Sequence, residues 1–420
     1  MYILFYFVTR FLIVMTPLEE VKQIIMSSIS ITSEEIINIQ DAYGRVVSND
    51  IYSNIDVPDC NNSAMDGYAI NYAITADASK HNPLSFNVIG ELKAGDFSQF
   101  TETSHSALRI MTGAPVPDVF NAVIPVEYTE EKNERVTIYK SLEKFENVRF
   151  KGEDLQSDDI IFPRGTRLFS AEIGLLASLN ISKIAVYRKP TIGILSTGDE
   201  IIEIGETVSH PGMVRNSNYY TLHADITVAG AEPYYLGIIS DSYDDLYDTI
   251  SKALHYDMVI TTGGVSMGKY DLVGDVLLDL GVDVKVTKVK MKPGKPLIFG
   301  TKNKTLIFSL PGNPVSTMIA FNQFIRPALL KSMGAHKVNL PEVTAIVEED
   351  IKKKPDRVHF LRGVFRIENG KFFVKTTGNQ GSGILSSMSK SNCLIIIPEN
   401  TSFVNVGDTV TIQLSQHREI

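Results

Sequence analysis

The sequence predicts a multidomain protein of α/β plus β class, and three observations predict it. Apolar strands and helices alternate regularly between Thr191 and Gly334, short strand-like and turn-rich segments precede them, and period-two strands follow. Alternation of that kind argues for a central parallel sheet covered on both faces, while runs of short strands argue for separate β modules. The length of 420 residues agrees, since about 150 residues per domain leaves room for two to four.

Composition narrows the function. There are 40 Lys and Arg against 49 Asp and Glu, a net charge of −9, which disfavours a general polyanion binder, so nucleic acid is not expected as a partner. Two cysteines, Cys60 and Cys393, fit a reducing compartment and a cytoplasmic location. A chain this long buries enough core to need neither disulfide nor structural zinc.

Taken in order, residues 1–14 (MYILFYFVTRFLIV) are apolar and aromatic. They are too short for a membrane span, which takes about 20 apolar residues, and lack the basic start and cleavage site of a secretory signal. They are expected to be an extension from an upstream start, with Met15 the true beginning. Thr16 is placed to cap a helix, with Pro17 in its first turn and Glu19 at the third helical position, as in a capping box. Helical spacing is read again at Ile36, Ile37 and Ile39.

From Tyr52 to about Phe150 short runs at 86–90, 107–111 and 135–139 predict a β-rich module. A helix over 171–180 and an extended run over 184–187 complete an amino-terminal block of 15–187. An α/β domain follows over 188–334. Its strands are IGILS, YYLGII and MVITT, its helices lie at 219–228, 243–254 and 272–280, two further strands lie at 284–291 and 306–310, and a last helix runs over 315–333. Residues 341–416 (TAIVEEDI, GVFRI, KFFVK, CLIII, TVTIQL) predict a small carboxyl-terminal β-barrel or sandwich.

The chemistry concentrates at the carboxyl ends of the α/β strands, where such sheets bind ligands. Ser196, Thr197 and Gly198 open STGDE, and Gly263 and Gly264 sit in TTGGVSMG. Glycines there let backbone amides face an oxyanion, and a following helix amino terminus adds a favourable dipole. Asp199, Glu200, Asp241 and Asp271 cluster at these strand ends. Each alone is a plausible helix cap, but together they suit a hard cation such as Mg²⁺ bridging to ligand oxygens. Scattered histidines and distant cysteines indicate no softer metal.

Lys288, Lys290 and Lys292 alternate along VTKVKMKPG, so on a regular strand all three project from one face, with Lys295 in the following turn. Such a face is either a solvated edge or an anion site. Pro311 and Pro314 stiffen the LPGNPVS turn. No GxSxG, Cys–His pair or Walker loop is present, so positioning with a divalent cation is favoured over covalent catalysis.

NSAMDGYA, RIMTGAPVP, STGDE, VRNSN, TTGGVSMGKYD, MKPGKP and LPGNPVS occur in the order found in the MoeA family, molybdopterin molybdenumtransferases, which the chain resembles from Met15 to its carboxyl end. The resemblance implies a central molybdopterin-binding domain, substrates adenylated molybdopterin and molybdate, Mg²⁺ dependence and release of AMP. It also implies a homodimer with a cross-subunit site, no membrane, and contact with molybdopterin adenylyltransferase and molybdoenzyme maturation factors. By motif position it gives Asp66, Thr112, Glu200, Asp241 and Asp271 catalytic roles, with Asp241 and Asp271 at the metal. Lys288, Lys292, Pro311 and Pro314 match substrate positions, as do Asp154, Arg362 and Ser382 in less distinctive motifs. Two other readings stay open on sequence: adenylylation of molybdopterin, since those enzymes share the α/β domain, and an inactive scaffold like the gephyrin relatives.

Overall fold

The computed structural model describes residues 15–96, 98–100, 105–265 and 272–415. The extension expected at residues 1–14 and Asp271 lie outside the described residues. The chain folds as two units. The smaller takes Asp50–Pro163 and Gly174–Ile181, and the larger takes Arg164–Ile173 and the remaining sequence on either side. The block expected over 15–187 is therefore divided, with 15–49, 164–173 and 182–187 folding into the larger unit.

At the centre of the larger unit is a six-stranded sheet of β1 (Thr191–Thr197), β2 (Glu232–Ile239), β3 (Met258–Thr262), β4 (Asp283–Lys288), β5 (Pro296–Lys302) and β6 (Thr305–Leu310), ordered β2-β1-β3-β6-β5-β4. β2, β1, β3 and β6 run parallel, as expected. The sheet then continues with antiparallel β5, which pairs with both β6 and β4. Two reversals return β4 to the direction of β6, so Lys288 ends on the same edge as the carboxyl ends of β1, β3 and β6.

Side-chain alternation explains burial on both faces. Ile192 and Ile194 join Leu222, Ile226, Phe308, Phe321 and Phe324 on one side. Leu195 joins Leu246, Ile250, Val276 and Leu277 on the other. The helices Ser217–Ala229, Tyr243–Ala253 and Leu272–Asp279 fall where the periodicity puts them. The last helix begins at Pro314 and passes through a π turn at Phe321–Ile325 before ending at Ser332.

The carboxyl-terminal strands form a second sheet in which Val358–Glu368 pairs with both Lys371–Thr376 and Cys393–Ile397, closing a barrel around Val347, Phe365, Val374, Ile395 and Ile412. The smaller unit holds a six-stranded mixed sheet that includes Gly67–Ile70, Leu84–Leu92 and Ser106–Ile110.

Three local expectations differ from the structure. Ile36 and Ile37 lie in a strand, Glu34–Asn38, paired antiparallel with Lys183–Tyr187, because β-branched residues satisfied by a distant partner strand outweigh a short helical spacing. Thr16 does not cap the Leu18–Ser27 helix. Its backbone instead bonds Lys288 O and Lys290 N, holding the chain beside the end of β4. Finally, the lysine strand is broken: β4 stops at Lys288, while Met291–Lys292 pairs with Val358–His359 of the barrel sheet. Lys288, Lys290 and Lys292 thus share no single regular face, and Lys290 reaches Glu399 at 3.2 Å.

Candidate functional site

The loops after β1, β3 and β6 converge. A Cβ on Gly263 would lie 2.2 Å from the Thr197 carbonyl oxygen, and one on Gly312 would lie 3.8 Å from Gly263 Cα. The Gly263 amide donates to Leu310 O at 3.0 Å, tying the β3 loop to the end of β6. Thr317 Oγ1 donates to Pro311 O at 2.7 Å and steadies the turn that carries Pro311 and Pro314. Gly198 and Gly264 belong to this cluster, and the Glu200 carboxylate curls back over Gly198, 2.7 Å from where its Cβ would stand.

Two of the expected acids meet here. Thr197 Oγ1 donates to Asp241 Oδ1 at 2.7 Å, and the Asp241 amide donates to Asp199 Oδ1 at 3.2 Å. Adjacent β1 and β2 thus bring Asp199 and Asp241 side by side at the sheet edge. The donors are carboxylate oxygens, chemistry that suits a hard divalent cation retaining water ligands. Among the described residues no cluster of three or more His, Cys, Asp or Glu forms a complete metal cage.

Of the expected ligands Ser196 and Thr197, Thr197 bonds Asp241 as described and Ser196 pairs with Thr262 and Asn216. Ser196 and Thr262 are fully buried, with Thr262 Oγ1 3.1 Å from Ser196 Oγ and Ser196 Oγ 2.9 Å from Asn216 Oδ1. A helix does not follow STGDE directly. Ile201–Ile202 pairs with Val214–Arg215, and the helix starts at Ser217 with Asn216 as its cap.

Beyond Lys288, a cavity of about 530 Å³ is lined by Lys292, Lys352, Lys353, Lys354, Arg357, His359 and Arg362, and also by the carboxylates Glu349, Asp350 and Asp356. Arg362 is 0 % exposed, so it forms the floor rather than the wall. Its Nε donates to Ser387 Oγ at 2.9 Å and its Nη2 to Gly381 O at 2.9 Å. Burial holds its pKa below the usual guanidinium range. Among the described residues, no carboxylate forms an ion pair with it.

His359 is also buried, and its Nε2 makes no hydrogen bond. Burial, then Lys353 and Lys292, push its pKa down to about 4, so it is neutral at physiological pH. Ser382 adjoins Gly381 but the hydroxyl that Arg362 engages belongs to Ser387. Sequence reasoning missed Ser387 and His359, whose only signal was the last of three serines in SGILSS and a histidine in a period-two strand.

In the smaller unit, Thr112 donates to Asp66 Oδ1 through both N at 2.7 Å and Oγ1 at 2.8 Å. Those bonds, backbone first, hold the Asp66 carboxyl below its ordinary range. The pair sits where Gly67–Ile70 meets Ser106–Ile110, and a Cβ at Gly67 would strike Ile124 O at 1.9 Å. The Asp154 amide donates to Val57 O in the same unit.

Three family descriptions match the chain: MoeA N-terminal region (domain I and II) at residues 16–180, probable molybdopterin binding domain at 193–331, and MoeA C-terminal region (domain IV) at 344–415. A molybdopterin molybdenumtransferase of Nostoc sp. is 35% identical over 90% of this chain and 88% of its own length. One from Haemophilus influenzae is 36% identical over 92% and 95%. The crystal structure of a molybdopterin biosynthesis moeA protein from Pyrococcus horikoshii superposes with a TM-score of 0.82 at 30% identity, covering 96% of this chain and all of that one. These likenesses span both units and the barrel, and the chain belongs to the MoeA family.

Proposed function

We propose that this protein is a molybdopterin molybdenumtransferase of molybdenum cofactor biosynthesis, inserting molybdenum from molybdate into adenylated molybdopterin with release of AMP. The structural observation that carries the reading is the Asp199–Asp241 pair at the mouth of the loops holding Gly198, Gly263 and Gly312. Backbone amides of those loops suit phosphate oxygens. Asp241 and Asp199, with Asp271, would hold Mg²⁺, which when bound neutralises charge on the phosphoanhydride. Glu200 adds a carboxylate at the same mouth, and Lys288 and Lys295 add positive charge on the same edge.

The cavity floored by Arg362 and edged by Lys292 suits a dianion such as molybdate, because its lysines and arginines outnumber Glu349, Asp350 and Asp356, and a buried guanidinium with no carboxylate partner among the described residues gains most from an anionic ligand. Ser382 borders that floor beside Gly381. The protein acts as a cytoplasmic homodimer, in which Asp66 and Thr112 of the partner subunit complete the site, and molybdopterin adenylyltransferase and molybdoenzyme maturation factors act before and after it. Family membership supports this part of the reading.

The test is AMP release from adenylated molybdopterin and Mg²⁺, with and without molybdate. Molybdate-dependent release is expected, and its absence from folded protein refutes the reading. Mixed dimers of Asp66→Ala and Asp241→Ala subunits should regain activity, and failure to do so rejects the shared site.

A further inference from the structure

Beneath the glycine loops runs a chain of hydrogen bonds whose proton order can be deduced. Asn216 Oδ1 can only accept, so Ser196 must donate to it, at 2.9 Å. With its one proton spent, Ser196 must accept from Thr262, at 3.1 Å. The Asn216 amide is not free to flip. Its Oδ1 also caps the Ser217–Ala229 helix, accepting from the Tyr219 amide at 3.4 Å, and a flipped amide would set its own N–H groups against that backbone donor.

Asn216 Nδ2 can therefore only donate, and it does so to the Tyr235 hydroxyl at 3.0 Å. Tyr235 in turn must donate to the Glu203 carboxylate. Burial first, and Glu203 second, hold the Tyr235 hydroxyl above the ordinary phenol range, so it keeps its proton. Every donor points the same way, from the floor of the site to a solvent-accessible carboxylate, and bonds so aligned strengthen one another.

The consequence for the site is specific. Neither Ser196 nor Thr262 has a proton left for a ligand, so the β1 and β3 loops recognise anions through backbone amides, while the hydroxyls fix the two loops to each other. We propose that Asn216 and Tyr235 are positioning residues for the anionic substrate, holding the β1 and β3 glycine loops in register through Ser196 and Thr262. This rests on the molybdenum-transfer reading above.

Tyr235→Phe removes the acceptor for Asn216 and the donor to Glu203 while keeping the ring. It should raise KM for adenylated molybdopterin about five- to tenfold, the scale of one net hydrogen bond, with kcat within about twofold, as expected when uniform binding is lost. In a Ser196→Ala background the same substitution should raise KM no further. An unchanged KM, or an equal additional rise in that background, overturns the proposal.

Should Tyr235→Phe not fold, Asn216→Ser decides by the same criterion. It preserves a helix cap but is too short to bridge Ser196 and Tyr235. Wild-type protein assayed alongside separates the two claims. If it shows no molybdate-dependent AMP release, the functional reading falls and this proposal with it, whereas an active wild type with an unaltered Tyr235→Phe KM sinks the positioning role alone.

Discussion

Substituting Gly263 by alanine should disable the site through sterics, and the size of the effect can be worked from the loop. Gly263 has φ +96° and a Cβ there would sit 2.2 Å from the Thr197 carbonyl oxygen. A relaxed carbon–oxygen contact needs about 3.3 Å, so the β1 and β3 loops must part by roughly 1 Å. The backbone conformation costs an alanine about 1–2 kcal/mol, and overpacking adds about 1–3 kcal/mol. More important for activity, a 1 Å misplacement of binding groups can cost on the order of 100-fold. Gly263→Ala is therefore expected to lower kcat/KM for molybdate-dependent AMP release about 100-fold.

Gly212→Ala is the control. It has φ +104° and nothing within 4 Å of its would-be Cβ, so it carries the conformational cost without a displaced neighbour. Its kcat/KM should stay within about threefold of wild type, since no loop moves. If Gly263→Ala retains activity within that range, or Gly212→Ala loses as much, the close apposition of the two loops is not what shapes the site.

Three further outcomes follow from buried groups. Arg362→Met keeps an unbranched chain in a fully buried position but gives up the bonds to Ser387 Oγ and Gly381 O, so the variant should fold with a loss of about 1–3 kcal/mol, while the molybdate concentration for half-saturation climbs at least tenfold; normal molybdate use by the folded variant would contradict this. His359 has its pKa lowered to about 4, so between pH 6.5 and 4 the unfolded chain binds the extra proton and stability falls as pH drops through that window. Up to about 3 kcal/mol is at stake, and denaturant titrations of His359→Gln at pH 7 and 4.5 should show a smaller pH difference than wild type. Burial pushes Asp225 up to about 6, the opposite sign: the folded state holds its proton longer, so stability is lost as pH rises from about 4 to 6. Asp225→Asn should be more stable than wild type at pH 8 by about 1–3 kcal/mol and equal to it at pH 3.5, and equal stability at both would refute the assignment.

Much of the α/β domain was legible because its signals are local. MVITT folds as β3 at Met258–Thr262, since a short apolar run between turn residues can satisfy its backbone only in a sheet interior. The helices after β1, β2 and β3 followed from periodicity in the same way. β5 was missed. Its residues, PLIFGTK, directly follow MKPGK, whose proline and glycine read as a turn, and only the pairing of Phe299 with Phe308 and Ile298 with Ser309 makes it a strand.

The site divides along the same line. Glycines, acids and lysines were recognisable by type, and Asp66 with Thr112 by motif, because chemistry restricts which residues can serve. Their partners were not. That Thr197 serves Asp241, that Ser387 rather than Ser382 holds Arg362, and that Ser196 spends its proton on Asn216 are facts of proximity between distant segments.

By itself, then, the sequence determined the order of modules, the parallel core of the central sheet and the residue types gathered at its carboxyl edge, all of which arise from periodicity and turn chemistry within a few residues. Tertiary structure alone decided that Lys288 and Lys292 belong to different sheets, that Ser196, Thr197 and Thr262 hydrogen-bond to Asn216, Asp241 and Ser196, and that Arg362 is buried with no ion-paired carboxylate among the described residues. Hydrogen-bond direction and burial are set by which distant groups are brought within about 3 Å, and no local pattern encodes that.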